Sequence, residues 1–242
     1  MSSPGAAGRW SIQSWAAVAA ICVAPPLACV VLWRDWKSAA AGAAVWALSV
    51  TVKYAIAIFL TPRLRTRLST KTIAVFHGAL SAITELGATL LFFFYAWPIT
   101  LTQAVAFGIG AGSVEAAYVF IVGVFLSEDD PQESSEWAAG AADSYCVRYM
   151  VPIERGSALL GHISSRGLIY VGLAAPTYAA QASLIAIAFL LFSCVDGVAA
   201  YGILKRWNWY DPKICFRAHL FFFSVSVIES VLFLGSANFV LG

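Results

Sequence analysis

Seven stretches of this chain are long and apolar enough to cross a bilayer, and little chain lies between them. A span needs about 20 mostly apolar residues. The candidates are residues 14–33, 38–61, 72–96, 99–127, 153–175, 179–203 and 216–240. Inside hydrocarbon the backbone must satisfy its own N–H and C=O groups, which for stretches of this length means helix. The pattern predicts an all-α, polytopic transmembrane bundle that forms one domain over residues 1–242.

Composition agrees. The 242 residues are 60% hydrophobic and 12% charged, against about 25% charged in a typical soluble domain. The length leaves little room for a separate soluble domain. The formal charge of +2 indicates no partner, and no basic run is interleaved with aromatics as nucleic-acid binding would require. Cys22, Cys29, Cys146, Cys194 and Cys215 form no CxxC pair. Neither a zinc site nor a disulfide framework is indicated, and buried apolar thiols are expected. The stretch from Ser14 to Trp33 is nearer a spanning helix than a cleaved leader, with a kink expected at Pro25-Pro26.

The connections set neighbours and orientation. The tight WPIT turn predicts that spans 72–96 and 99–127 are antiparallel neighbours, and the turn at Pro176 predicts the same for the next pair. With seven spans, Arg9, the cluster Arg63, Arg65, Arg67 and Lys71, then Arg148, Lys205, Arg206, Lys213 and Arg217 share one face; only Arg34 and Lys37 lie on the other. The positive-inside rule places that first face, and the N-terminus, in the cytoplasm. Residues 128–147, containing EDDPQESSEW, read as an acidic, mobile cytoplasmic loop. No internal repeat is evident.

Against this apolar background several ionisable residues stand out. Glu85, Glu115 and His162 lie well inside three different spans. An acid at that depth costs roughly 2.5–3.5 kcal/mol on insertion scales, so such groups face a partner or a water-filled cavity. Counted from the cytoplasmic ends, the three fall at about 14–20 Å depth. Lys53, Asp196 and Glu229 fall in a similar layer. His77, Ser81 and Glu85 follow one another along one side of a helix, and Arg155, His162 and Arg166 share a face of another. Gly108, Gly110 and Gly112 precede Glu115 and permit close helix approach or a broken, cavity-lining backbone.

The chemistry of this layer has several readings. A carboxylate beside a histidine can activate water and stabilise an oxyanion. Glu85, Glu115 and His162 could instead hold zinc with one position open, although HExxH is absent. Zinc and no metal at all are equally open. The blander reading makes each Glu a helix–helix contact, makes Glu154–Arg155 an anchor at the membrane edge, and lets Lys53, Asp196 and Glu229 neutralise one another. Phe92–Tyr95 and Phe221–Phe223 read as packing or lipid-facing residues.

The succession of a glutamate in a small-residue helix, GIGAGSVEAAYV and ERGSALLGHISSRGLIY, together with GAAVWALSVTVKYAIAIFLTPRL nearer the N-terminus, resembles the YhfC-like family of intramembrane metalloproteases. These are distant relatives of the PrsW and CAAX-processing glutamate proteases. The resemblance covers most of the chain. It implies catalytic roles for Glu85, Glu115 and His162, which are also the candidate metal ligands; His77, Glu154, Arg155 and Arg166 are the candidate supporting residues, with His77 a candidate substitute ligand. It implies hydrolysis of a membrane-embedded or lipidated peptide in a bacterial or archaeal cell membrane, with membrane lipid as surroundings. Two motif positions depart from the family: Leu86 stands where a second glutamate is usual, and Ala111 where a histidine is usual. A metal-free glutamate protease, a divergent enzyme, or an inactive relative that acts as a scaffold or binding subunit of a membrane complex are all compatible with that. A small-solute or proton-linked transporter, with the buried charges as a relay, is a further alternative.

Overall fold

Each long apolar stretch is a helix, and the turns between them carry their own caps. The computed structural model describes residues 11–96, 98–126 and 130–241. Arg9, Glu128 and Asp129, used above for orientation and for the acidic loop, lie outside the described residues. The helices are α1 Ile12–Trp33, α2 Trp36–Arg65, α3 Thr70–Ala96, α4 Leu101–Ile121 continued by a π-helical turn Val122–Leu126, α5 Pro131–Asp143, α6 Tyr145–Arg148, α7 Met150–Ala174, α8 Tyr178–Leu204 and α9 Pro212–Leu241. The described residues contain no strand.

Local sequence explains the boundaries. Arg34 ends α1 in the left-handed conformation (φ 54°), and the Asp35 carboxylate then caps α2 by accepting from the Ser38 amide at 3.1 Å. Thr100 and Gln103 form a reciprocal capping box at the start of α4. Such side-chain caps satisfy amides that a helix start leaves orphaned. α1 runs through Pro25 and Pro26 as one helix.

Six helices are long and apolar enough to cross a membrane: α1, α2, α3, α4 with its π turn, α8 and α9. The chain is an integral membrane protein by this criterion. α7 is also long, at 25 residues, but Glu154, Arg155 and Arg166 reduce its apolarity. It is the central post of the bundle, touching α1, α3, α4, α8 and α9, and residues 164–172 are buried without interruption.

Small residues set the closest crossings. A Cβ on Gly42 of α2 would overlap the Phe107 carbonyl of α4, and one on Gly110 of α4 would overlap the Ala39 carbonyl of α2. Gly108 and Gly112, on another face of α4, receive the backbone and side chains of α7 around Leu159, His162 and Ile163. The glycines therefore serve close approach, and α4 stays unbroken until Val122.

Two expectations change. α3 and α4 are not packed along their length. α3 lies against α8 and α2, and α4 against α2, α7 and α1. The two touch through aromatic rings, with Phe92 and Phe93 centred 5.1 and 5.0 Å from Phe107. A short turn brings two helix ends together, but the glycine faces of α4 commit it to α2 and α7. The pair joined at Pro176, α7 and α8, does pack together. The second change concerns the acidic loop. Residues 131–143 form α5, started by Pro131 and by the Asp130 carboxylate, which accepts from the Gln132 and Glu133 amides. α5 is docked: Tyr210 donates to Glu133 at 2.5 Å, and Arg148 Nη2 donates to the Ala141 carbonyl at 2.9 Å.

Candidate functional site

Lys53, Glu85, Glu115, His162, Asp196 and Glu229 come from six different helices and line one cavity of about 230 Å³. They reach it because each sits on the inward face of its helix at a similar depth. α2 supplies Lys53, α3 Ser81 and Glu85, α4 Glu115, α7 Arg155 and His162, α8 Asp196, and α9 Ser226 and Glu229. Trp46, Tyr54, Tyr118, Phe192 and Phe222 supply aromatic walls.

The charges fall into two clusters. In the first, Lys53 Nζ donates to Glu85 Oε1 at 2.6 Å and to Ser81 Oγ at 3.0 Å, and lies 3.8 Å from Asp196 Oδ2. Ser81 also bonds the Asp196 carboxylate. Glu85 is 3% exposed, and its second oxygen faces Arg166 Nη2 at 3.7 Å. Arg166 is itself buried, donates to Ser165 Oγ at 3.0 Å, and stands over the Phe192 ring at 5.4 Å. In the second cluster, Arg155 Nη1 donates to Glu115 Oε1 at 2.7 Å and Nη2 to Glu154 Oε1 at 2.6 Å. The other Glu115 oxygen bonds His162 Nε2. An isolated buried ion is very costly, and pairing with added hydrogen bonds is what makes burial tolerable.

Four polar atoms on cavity-lining residues are buried without a hydrogen-bond partner: Trp46 Nε1, Arg155 Nε, His162 Nδ1 and Glu229 Oε1. Buried polar groups are nearly always satisfied, so a cluster of exceptions at one cavity points to something that enters it, water included.

The structure sorts the residues singled out in the sequence. Glu115 and His162 are in direct contact, and Glu85 lines the same cavity. Arg155 is buried and joins Glu154, at the rim, to Glu115, so it reaches further inward than an edge anchor. Arg166 stands behind Glu85. His77 is not in the cavity wall; its Nε2 faces Thr61 Oγ1 at 3.1 Å. Lys53 and Asp196 are neutralising partners as expected, but Glu229 takes no part in that pairing. Phe222 is buried and faces the cavity, whereas Phe223 is exposed. Leu86 and Ala111, at the departing motif positions, are buried among apolar neighbours. The aromatic walls were not legible in the sequence, because Trp46, Tyr54 and Tyr118 have the look of interface or packing aromatics.

Metal-binding geometry also separates. The donor atoms of Glu85, Glu115 and His162 are not gathered within 4.8 Å of one another. Among the described residues the one group of three that is gathered so is Cys146, Cys215 and His219. Both His219 nitrogens face backbone carbonyls, Nδ1 that of Cys215 at 2.8 Å and Nε2 that of Met150 at 3.1 Å. The Glu/His residues are held by Lys53 and Arg155 rather than gathered around a shared point.

The chain matches no family model, no curated protein and no solved structure.

Proposed function

We propose that the protein is an intramembrane hydrolase of peptide bonds, working without a metal through the Glu115–His162 pair. The observation that carries this reading is the contact of one imidazole nitrogen with a buried carboxylate while the other nitrogen has no partner. A carboxylate that accepts from Nε2–H fixes the tautomer and leaves Nδ1 as an acceptor. The same logic orients histidine in hydrolytic triads. Arg155 holds Glu115 in place from the other side. In the proposed step His162 Nδ1 takes a proton from water as the water oxygen attacks the peptide carbonyl carbon. The proton then passes to the leaving nitrogen as the C–N bond breaks. The unpartnered Nε–H of Arg155 is a donor for the transient oxyanion.

The allotment differs from one in which a glutamate is the base, because Glu85 is bonded to Lys53 and Ser81 and Glu115 to Arg155 and His162. The substrate in this reading is a membrane-embedded or lipidated peptide, cleaved near the cytoplasmic half. The protein has seven spans, α7 included, with its N-terminus cytoplasmic, and lies in a bacterial or archaeal cell membrane. Cleavage of a panel of transmembrane peptides in proteoliposomes tests it: no cleavage of any peptide, or full activity in both Glu115→Gln and His162→Ala, would sink the assignment.

A second reading is a noncatalytic relative that binds a membrane peptide or partner. The burial of Leu86 and Ala111 in apolar packing favours it, since neither position could supply the polar group usual in the resembling family. Peptide binding without cleavage separates the two.

A further inference from the structure

The cavity contains five carboxylates but only two cations in its wall, and the pairing leaves one acid over. Lys53 serves Glu85 and Asp196, and Arg155 serves Glu115 and Glu154. Glu229 is the fifth. It is 2% exposed, lines the cavity, and its Oε1 has no hydrogen-bond partner. Arg166 lies close enough to act on Glu229 through its charge, but it makes no ion pair or hydrogen bond with it; its guanidinium donates to Ser165, faces Glu85 and stands over the Phe192 ring. Ser226, one turn before Glu229, spends its hydroxyl on the Ser157 carbonyl at 3.0 Å. Gly161 of α7 stands opposite: a Cβ there would lie 3.3 Å from Ser226 Oγ and 3.8 Å from Glu229 Oε2.

The surroundings suit a cation more than a second water network. Phe222, seven residues before Glu229 on the same face of α9, lines the cavity with Phe192, Trp46, Tyr54 and Tyr118. Aromatic faces attract ammonium and guanidinium groups, more strongly when these are desolvated. A buried acid with no direct ion pair and no hydrogen bond at Oε1 is the complement such a group lacks in a membrane, where an unpaired charge is costly on either side. Tyr54 and Tyr118 are about half exposed, at 50% and 46%, and mark the rim through which a side chain can enter.

We propose that Glu229, with the Phe222 ring, forms a subsite for a basic side chain or amine of the bound peptide, so that the protein selects a membrane peptide carrying Lys or Arg within its apolar segment. The subsite deepens the hydrolase reading by naming its substrate class, but recognition by Glu229 requires only binding.

Two transmembrane peptides that differ only by Lys or Gln at one central position are titrated against the full chain in lipid nanodiscs. The Lys peptide is expected to bind at least about tenfold tighter, equivalent to about 1.4 kcal/mol. That ratio should fall to near one in Glu229→Gln and survive in part in Glu229→Asp. Should Glu229→Gln not fold, carbodiimide labelling of Glu229 in the natural chain replaces it: the Lys peptide should protect the carboxylate and the Gln peptide should not. Equal binding of the two peptides, an unchanged ratio in folded Glu229→Gln, or equal protection overturns the proposal. The same peptides are assayed for cleavage. Selective binding with no cleavage leaves the subsite standing and removes the hydrolase; cleavage without Lys selectivity does the reverse.

Discussion

His162 on α7 bonds the carboxylate of Glu115 on α4 through Nε2, and its Nδ1 is buried with no partner. The two helices meet there because Gly108 and Gly112 let α7 approach α4 closely. An orienting carboxylate on one side and an unpartnered nitrogen on the other give the ring a direction, and His162 is among the residues that line the cavity.

Removing the ring should be worse than removing its orienting partner. In the peptide-cleavage assay His162→Ala is expected to lose about 10²–10⁴-fold in rate, the usual range for a general base. Glu115→Gln should lose less, since the imidazole remains. Glu154→Gln, at the rim with 42% of its side chain exposed, should cost under about tenfold, in line with the small worth of an exposed ion pair.

Lys53 holds two acids at once, so its loss strands both. Lys53→Met should destabilise the protein, by less than the loss of about 3–5 kcal/mol for a fully buried pair, because Glu85 is buried but Lys53 and Asp196 keep part of their surface exposed. Adding Glu85→Gln should recover part of that loss, because the stranded charge goes with it. Thermal unfolding in mild detergent for the two single variants and the double variant gives the coupling directly.

The α2–α4 crossing depends on absent side chains. Gly110→Val should drive the helices apart and destabilise by at least about 1–3 kcal/mol, because the obstacle is the Ala39 backbone, which cannot rotate away. Gly87, on α3, has nothing within 4 Å of a Cβ, and Gly87→Ala is expected to stabilise by up to about 1 kcal/mol through helix propensity. Midpoints of thermal unfolding for both variants check the contrast.

The thiols of Cys146 and Cys215 lie 3.1 Å apart, close enough for side-chain rotation to bring them to disulfide distance. Treatment with diamide should join them within one chain, and peptide mapping should find the 146–215 crosslink. Cys194, which is exposed on the membrane-spanning α8 and far from the other two thiols in sequence, should remain a free thiol and serves as the internal control.

Metal analysis distinguishes two donor sets. The purified protein is expected to hold no stoichiometric zinc at the Glu85, Glu115 and His162 positions. Any zinc retained should be lost in Cys146→Ser and kept in His162→Ala, following the one gathered triad among the described residues. About one zinc per chain, lost in His162→Ala, would return the mechanism to a metal.

Hydrophobic length alone determined much of this protein. The seven apolar stretches became helices with ends within a few residues of the expected ones, because a backbone in hydrocarbon has so few ways to bond itself. The layer of Lys53, Glu85, Glu115, His162, Asp196 and Glu229 was also legible, since depth along a helix follows from residue count. What tertiary structure decided was which groups in that layer meet. Equal depth places six residues in a plane without saying which helices are neighbours, and the neighbours follow from small faces such as Gly108, Gly110 and Gly112, whose partners lie far away in sequence. So the expected α3–α4 pairing gave way to α3–α8 and α4–α7, Lys53 took Glu85 and Asp196, and Glu229 was left without a direct ion pair. The aromatic walls were hidden for the same reason: Phe222 and Phe223 are identical as sequence, and only the packing around α9 turns one into the cavity and leaves the other exposed.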